Sequence, residues 1–347
     1  MALTPKEVIE AINKAMKTEV TQIGTEHLLS DVPYFISTSS TLLDLALGGG
    51  IAGRRIVELY ASESEGKSTI ATHILANVQK AGGLAMLIDS ETTIERSRSE
   101  RIGLDMSQVI MNYASTVEDG FDSIRVLLEK IAASPKRAED PTQPVVIVWD
   151  TIAAVPTIAE KEKGKFGGGQ AERPRIIRGG LRLISMPLAK ANAVLILNNH
   201  LISSLNPYSP VTTPGGTGPK LFATHRIWLK RSGLWKDPVT DVEKGIIVRA
   251  KIMKNKLGPP LKEPEIVIMF ENGIDDNWSL FTYASDDEVK IIERGGAWYS
   301  FNFPDEKGNI ITKKFHQKDF PKLCIDHPGL IPQLKKRVTD YWNGNGV

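Results

Sequence analysis

Five short apolar runs recur between residues 56 and 197, and a helix-length segment precedes or follows each of them. The runs span residues 56–60, 84–88, 109–112, 145–149 and 194–197. Strands that are apolar on both faces are typical of a parallel sheet that helices cover on both sides. The pattern therefore predicts an α/β core with a mostly parallel central sheet.

A separate amphipathic helix is predicted from Thr4 to Met16, ahead of this core. Thr4 and Glu7 have the spacing of a capping box, and Pro5 stands at the first helical position. The apolar residues of this stretch share one helix face: Val8, Ile9, Ile12 and Met16. One short helix cannot bury this face by itself. We expect it to dock on the main domain or on another copy of the chain.

The pattern changes again beyond residue 283, where short strands precede a final helix. We therefore divide the chain into an N-terminal arm over residues 1–34, an α/β core over residues 35–282 and a small α+β domain over residues 283–347. At 347 residues, the chain is long enough for one large core with smaller additions of this kind.

Residues 55–69 read as a buried strand, a short loop and the start of a helix, which is the layout of a phosphate-binding loop. In such loops backbone N–H groups face phosphate oxygens, a Lys reaches the β- and γ-phosphates, and the next Ser or Thr binds Mg²⁺. Lys67 and Ser68 occupy these two positions. Ala61 stands where the usual motif has its first Gly, which narrows the backbone freedom of the loop. Gly-Lys-Ser alone is common by chance, so the flanking strand and amphipathic helix carry the prediction.

Polar residues follow three of the other predicted strands at their carboxyl ends. Glu91, Asp150 and His200 stand there in chain order. Ligands of parallel sheets bind at this edge. Together with Lys67, the three residues form the set needed to activate water on a γ-phosphate. Taken alone, Asp150 would be a helix N-cap and Glu91 a solvated loop acid.

The charge of the chain is nearly balanced, with 43 Lys and Arg against 41 Asp and Glu. No overall basic field therefore predicts a nucleic-acid partner, and such binding would need local patches. The single cysteine, Cys324, excludes an internal disulfide framework. No apolar run approaches the roughly 20 residues of a membrane span, and no signal-peptide pattern opens the chain. We expect a cytoplasmic protein with no membrane partner.

Over nearly its whole length the chain resembles the RecA-type homologous recombinases of bacteria. The matching motifs are Leu-Asp-Leu-Ala-Leu-Gly-Gly-Gly at 43–50, Val-Glu-Leu-Tyr at 57–60, Leu-Ile-Asp-Ser-Glu at 87–91, Lys-Ile-Met-Lys-Asn-Lys at 251–256 and Gly-Gly-Ala-Trp-Tyr-Ser at 295–300. A generic ATPase has no reason to carry the last two. The resemblance implies an ATP-dependent recombinase that forms a filament on single-stranded DNA and exchanges strands with a homologous duplex.

The resemblance also implies a site for ATP and Mg²⁺. Its nucleotide contacts would be Ser62, Glu63, Ser64, Glu65, Gly66, Lys67, Ser68, Thr69, Glu95, Arg98 and Asp150. Of these, Ser68 and Asp150 would hold the metal, and Arg98 replaces the adenine-stacking Tyr of the family with a guanidinium that can also stack.

The implied catalytic residues are Glu91, which would orient or deprotonate the attacking water, and Lys67. His200 stands where the family has a Gln that senses the γ-phosphate, and imidazole adds a sensitivity to pH. Lys254 and Lys256 look like a pair that reaches the site of a neighbouring subunit, as an arginine finger does. Without the flanking match, these lysines would be read as an exposed strand face.

Two long segments, residues 161–170 and 201–220, are predicted loops that correspond in position to the two DNA loops of the family. Loops of this length in a compact domain are usually functional or disordered. After the first loop, three arginines share one helix face. The candidate DNA contacts are Arg175, Arg178, Arg182, Gly215, Gly216, Lys220 and Arg226. The alternative for these cations is an ordinary solvated surface.

Basic clusters at residues 313–322 and 335–337 make the C-terminal segment either a second, duplex-collecting surface or a solvated lid. Two other functions stay open: a RecA-like ATPase with another task, such as a hexameric helicase-type motor, and a catalytically silent DNA-coating protein. The motif at 295–300 and the N-terminal arm favour a filament over the motor, and only Ala61 favours the silent protein.

Overall fold

The structure is a computed structural model, and it describes residues 3–17, 21–24, 30–134, 143–163, 172–203, 211–305 and 307–344. Of the two predicted DNA loops, residues 164–171 and 204–210 lie outside the described residues. The described helices are α1 (Pro5–Met16), α2 (Thr41–Leu47), α3 (Lys67–Lys80), α4 (Arg96–Ile102), α5 (Val117–Ala132), α6 (Ile158–Lys163), α7 (Glu172–Lys190), α8 (Thr217–Phe222), α9 (Asp276–Ala284), α10 (Phe320–Asp326) and α11 (Leu330–Trp342).

The described strands alternate with these helices in the first half of the chain and cluster in the second. They are β1 (Phe35–Ile36), β2 (Ile51–Ala52), β3 (Ile56–Ala61), β4 (Leu84–Asp89), β5 (Val109–Asn112), β6 (Val145–Asp150), β7 (Ala193–His200), β8 (Ile202–Ser203), β9 (Val211–Thr212), β10 (His225–Lys236), β11 (Glu243–Asn255), β12 (Glu265–Met269), β13 (Gly273–Asp275), β14 (Glu293–Gly295), β15 (Trp298–Pro304) and β16 (Ile310–His316).

The central sheet has the strand order β13-β12-β11-β10-β3-β7-β6-β4-β5. From β10 to β5 all neighbours are parallel, and β11, β12 and β13 extend the sheet in antiparallel fashion. The five predicted strands are β3 to β7, so the mostly parallel α/β core is confirmed. The antiparallel extension was not predicted from the sequence.

Both faces of the sheet are covered, as the apolar runs require. On β6, Val146 and Val148 pack in one core with α3, while Ile147 and Trp149 pack in a second core with α5 and α7. Alternate side chains of a strand point to opposite faces. Burying each such side chain contributes about 1.5–3 kcal/mol, so both helix layers are held by the same strands. Helices α5 and α7 lie close together at Gly180 of α7, which has no side chain. A Cβ there would lie 2.3 Å from the ring of Phe121 on α5.

A third core joins the C-terminal segment to the rest of the chain. Trp278 and Phe281 of α9 pack there with Phe301 and Phe315 of the small sheet β14-β15-β16 and with Leu42 of α2. The predicted boundary between residues 282 and 283 thus falls inside α9. The division into domains stays a prediction.

The helix predicted at the N-terminus is α1, and Thr4 and Glu7 form the expected capping box. None of its residues is buried, and Val8, Ile12 and Met16 are 40%, 39% and 59% exposed. Its apolar face therefore does not pack on the described part of this chain. No helix within the described ranges is both long and apolar enough to cross a membrane.

Candidate nucleotide site and nucleic-acid surface

The phosphate loop connects β3 to α3 and turns through two residues with positive φ, Ser64 at 56° and Gly66 at 92°. The positive φ favours Gly at position 66, where a Cβ would also lie 2.6 Å from the end of the Ile268 side chain. The first helical bond of α3 runs from the Ile70 N–H to the Gly66 carbonyl at 3.0 Å. The backbone N–H groups of the residues before Ile70 have no acceptor within the helix. They can therefore bind an anion at the start of α3.

Ala61 fits the loop entrance because it is the last residue of β3 and lies fully buried in the strand. An extended backbone does not need the conformational freedom of Gly. Lys67 lies under the loop, where its Nζ donates to the carbonyls of Ser62 at 2.7 Å and Ala61 at 3.3 Å. Burial lowers the pKa of Lys67, and the charges of Asp150 and Glu91 oppose that shift.

Glu91 and His200 meet at the carboxyl edge of the sheet. His200 Nε2 lies 2.8 Å from Glu91 Oε1, and the Thr151 hydroxyl donates to the same oxygen at 2.9 Å. Burial raises the pKa of Glu91, but these two hydrogen bonds and the charges of His200 and Lys67 outweigh burial and leave it below the usual value. Glu91 is therefore a carboxylate at neutral pH, held by a His and able to accept a proton.

Asp150 lies beside Asp89 in the register of β4 and β6, and it is 3% exposed. Burial raises the pKa of Asp150, while the nearby side chains of Ser68 and Asn198 lower it. Neither contact has normal hydrogen-bond geometry, because both Asp150 carboxylate oxygens and both polar atoms of the Asn198 side chain are without a partner. Each such buried group costs about 1–3 kcal/mol.

This group of unsatisfied polar atoms next to Ser68 fits a hydrated divalent cation. Within the described ranges, no three His, Cys, Asp or Glu side chains are arranged to hold a metal ion by themselves. Mg²⁺ usually keeps several waters and takes further ligands from one or two protein groups and from substrate phosphates. The donor set of Ser68 and Asp150 suits that mode.

A cavity of about 570 Å³ opens from the loop toward α4. Its lining unites the predicted residues Ser64, Glu65, Gly66, Lys67, Ser68, Thr69, Glu95 and Arg98. Ser62 and Glu63 lie exposed at the loop entrance. The lining also includes Arg231 of β10 and Phe270, which follows β12. Sequence reasoning missed both because neither β10 nor the antiparallel extension beyond it was predicted.

The predicted arginine row lies on α7. Arg175, Arg178 and Arg182 line one groove of about 420 Å³ together with Thr217. The chain that returns from the second predicted loop packs directly on this helix: a Cβ on Gly216 would lie 3.1 Å from Pro174 Cβ, and one on Gly218 would lie 3.2 Å from Arg178 Cα.

Lys220 lies on α8, close to this groove, and its Nζ donates to the Thr212 hydroxyl at 3.2 Å. The cations of α7 and α8 and the Gly215-Gly216 pair therefore form one surface.

Arg226 is placed differently from the other DNA candidates. Its Nε lies 2.5 Å from Glu58 Oε2, and the two side chains are only 13% and 0% exposed. The guanidinium also lies over the Tyr60 ring at 4.8 Å. These contacts hold Arg226 in a mostly buried ion pair inside the sheet, and its role as a DNA contact stays a prediction.

Asn199 connects this ion pair to the loop. The side-chain amide of Asn199 donates to Glu58 Oε1 at 3.1 Å and to the Pro214 carbonyl at 3.0 Å, and its oxygen accepts from the His200 N–H at 3.1 Å. Asn199 and Glu58 were not assigned roles from the sequence, where Asn199 follows a predicted strand and Glu58 lies within one.

Lys254 and Lys256 lie at the end of β11, and neither lines the cavity of its own chain. Lys254 Nζ donates to the carbonyls of Lys220 and Leu221 at 2.6 and 3.2 Å, and Lys256 Nζ reaches Leu221 O at 3.5 Å. Burial lowers the pKa of Lys254, as do the charges of Lys256 and Arg226. Both ammonium groups thus sit at the carbonyl end of α8.

A phosphate loop between a buried strand and its helix, with an acid–histidine pair and a buried Asp at the same edge of a mostly parallel sheet, defines a P-loop nucleotide-binding core. The family model of the RecA N-terminal domain matches residues 4–275.

Curated relatives agree over most of the chain. Protein RecA of Lactobacillus delbrueckii subsp. bulgaricus is 34% identical over 307 residues, which cover 87% of this chain and 86% of the relative. Protein RecA of Syntrophus aciditrophicus is 30% identical over 327 residues, which cover 93% of this chain and 88% of the relative. Protein RecA of Crocosphaera subtropica is 35% identical over 308 residues, 88% and 82%. The chain belongs to the RecA family of recombinases, which act in homologous recombination and repair and use ATP.

Proposed function

We propose that this chain is a DNA-dependent ATPase that assembles with Mg²⁺ and ATP into a filament on single-stranded DNA, and that the filament pairs with a homologous duplex and exchanges strands. The contact between Glu91 and His200 carries the proposal. It joins Glu91, the proposed base, which follows β4, to His200 at the end of β7, the strand that leads to the second predicted DNA loop.

The hydrolytic roles follow from the positions of the side chains. Ser68, and Asp150 through water, would hold Mg²⁺, which when bound neutralises charge on the phosphates. Lys67 reaches the β- and γ-phosphates from under the loop. Glu91, which is ionised at neutral pH, would accept the proton of the attacking water. His200 holds Glu91 and, as a donor, senses the γ-phosphate.

Single-stranded DNA would bind in the groove of α7. Arg175, Arg178 and Arg182 would contact phosphates there, and Lys220 and the Gly215-Gly216 turn lie on the neighbouring segment that packs against α7. Three neutralised phosphates give a salt dependence with a slope of about 2 in log–log terms for a single strand.

The filament would use the uncovered apolar face of α1 against a second copy of the chain. Lys254 and Lys256 would then face the neighbour's nucleotide and neutralise charge in the transition state. Lys313, Lys314 and the other cations of the C-terminal segment would collect duplex DNA. Such a filament acts where genomic DNA is found, which in bacteria is the cytoplasm.

Two measurements on the full chain test the proposal. Phosphate release should rise when single-stranded DNA is added, and electron microscopy with ATP and single strands should show helical filaments. Hydrolysis with closed rings only would favour a hexameric motor. DNA coating without hydrolysis would favour a silent binding protein.

Variants of the groove sharpen the test of the DNA surface. Replacing Arg175, Arg178 and Arg182 with Gln should weaken single-strand binding and flatten its salt dependence. The matched control is Arg125→Gln on α5, an exposed arginine paired with Glu129. If the triple variant and the control bound DNA equally well, single-stranded DNA would not bind in the α7 groove.

A further inference from the structure

Arg98 is held inside the nucleotide cavity by two hydrogen bonds from its guanidinium. Its Nη2 donates to the Thr69 hydroxyl at 2.9 Å, and its Nε donates to the Phe270 carbonyl at 3.2 Å. A guanidinium is planar and presents its donors in a fixed fork. Two bonds to different elements therefore fix both its position and its plane.

Thr69, the hydroxyl partner of Arg98, is the third residue of α3. Its N–H precedes the first helical bond, which Ile70 makes. It therefore belongs to the N–H groups that face an anion at a helix start, where the helix dipole adds positive potential.

In a phosphate loop, Lys67 reaches the β- and γ-phosphates and the backbone cradles the α- and β-phosphates. Glu95 and Phe270 line the same cavity as Thr69 but lie outside the phosphate loop, which leaves their part of the cavity for the nucleoside. A cation bound to the Thr69 side chain thus lies next to the phosphate closest to the nucleoside.

Among the residues that the structure describes, no carboxylate neutralises the charge of Arg98. None of the ion pairs within the described ranges involves Arg98. The two acidic side chains of the cavity have other partners: Glu65 accepts from the N–H groups of Ser62 and Arg231, and Glu95 accepts from the Ser97 hydroxyl. An arginine that lacks a counter-ion at an anion site is ready to bind a phosphate.

We propose that Arg98 binds the α-phosphate of the nucleotide and that this chain gains affinity there from phosphate charge instead of from a stacked aromatic ring. The inference rests on the proposed binding of ATP. The α-phosphate is common to all nucleoside di- and triphosphates. Arg98 therefore raises the binding affinity for ADP, ATP and CTP by the same factor and does not affect which base is preferred.

Isothermal titration of the full chain with ADP, ATP and CTP in Mg²⁺ tests this. Arg98→Gln should weaken all three by one common factor, roughly tenfold to a hundredfold for the loss of a hydrogen bond to a charged group. Arg98→Lys should keep part of the affinity. Raising the salt concentration should weaken the wild type more than Arg98→Gln.

Arg96→Gln is the matched control, since Arg96 lies on the same helix, is exposed and pairs with Glu100 outside the cavity. It should leave all three affinities unchanged. Thermal melts of each variant show whether it is folded, and Arg98→Lys, which keeps a cation, is the second variant if Arg98→Gln unfolds.

Two results would overturn the inference alone. One is a loss in Arg98→Gln that is much larger for ATP than for CTP, which would mean that the guanidinium stacks on the base. The other is no loss at all. If the wild-type chain binds none of the three nucleotides, the proposed ATPase function itself fails, and the inference fails with it.

Discussion

The ion pair between Arg226 and Glu58 gives the sharpest test of how the structure is held together. Arg226→Met removes the cation and leaves a carboxylate that is 0% exposed between β3 and β10. Breaking a buried pair on one side costs about 3–5 kcal/mol, because the remaining charge stays buried without a counter-ion. One amide donor, Asn199, still contacts Glu58 and keeps the expected loss near the lower figure.

The double variant Glu58→Gln with Arg226→Met should recover much of that loss. Gln keeps the shape of Glu58 without its charge, and Met fills much of the volume of the arginine stem. Replacing a buried pair by uncharged residues is often neutral or better. The two substitutions should therefore be coupled by about 2–3 kcal/mol in a double-mutant cycle of urea unfolding followed by circular dichroism.

Arg249→Met on β11 is the matched control, because Arg249 pairs with Glu265 at the surface, where its side chain is 52% exposed. It should cost less than about 1 kcal/mol. The reasoning fails if Arg226→Met is as mild as this control and instead lowers the salt slope of single-strand binding. That result would make Arg226 a phosphate contact after all.

Four further outcomes follow from the same structure. Glu91→Gln should keep nucleotide and DNA binding but slow phosphate release by about 10²–10⁴-fold, and a near wild-type rate would assign the base elsewhere. Burial, with the charges of Lys80 and Arg98 nearby, lowers the pKa of His73 from 6.5 to about 4, so the stability that neutral His73 contributes is complete above pH 6.5 and is lost as pH falls toward 4. The free energy of urea unfolding should therefore fall less over this pH range in His73→Gln than in the wild type. Parallel curves would show that His73 is not the cause. Deleting residues 1–33 should leave a folded core that no longer forms long polymers, and unchanged sedimentation would show that α1 is not an assembly element. Asn199→Ala should reduce the stimulation of hydrolysis by DNA more than it reduces nucleotide affinity, whereas equal losses in both would indicate general damage.

The parallel core was predictable because each of its strands is apolar on both faces, and only a sheet covered on both sides explains that pattern. The antiparallel extension was not predicted, because the alternation of buried and exposed residues in β11 indicates a strand but not its partner, and its pairing with β10 shifts register at three points. Arg231 of β10 and Phe270, which line the nucleotide cavity, carry no local signal in the sequence.

Arg226 shows why the sequence alone did not reveal the partner of a basic residue near a predicted loop. Its acidic partner, Glu58, lies 168 positions earlier in the chain, within a strand that reads as apolar. Periodicity places each residue on its own strand, but it does not show that β10 lies next to β3. The arginine row on α7 was predictable because its spacing depends on one helix alone.

In the proposed function, one line of polar contacts joins the two sites. Glu91 contacts the side chain of His200, and the His200 N–H donates to the side chain of Asn199. The Asn199 amide donates to the Pro214 carbonyl, just before the Gly215-Gly216 turn that packs against α7. A ligand shifts such an arrangement only if it contacts one state better than another, and the γ-phosphate is the group that distinguishes ATP from ADP. It would compete with Glu91 for the His200 donor, so hydrolysis and the position of the DNA turn would change together. The ion pair with Arg226 fixes Glu58, which binds the side-chain amide of Asn199. Asn199 is therefore held at Glu58 while its contacts with His200 and Pro214 change.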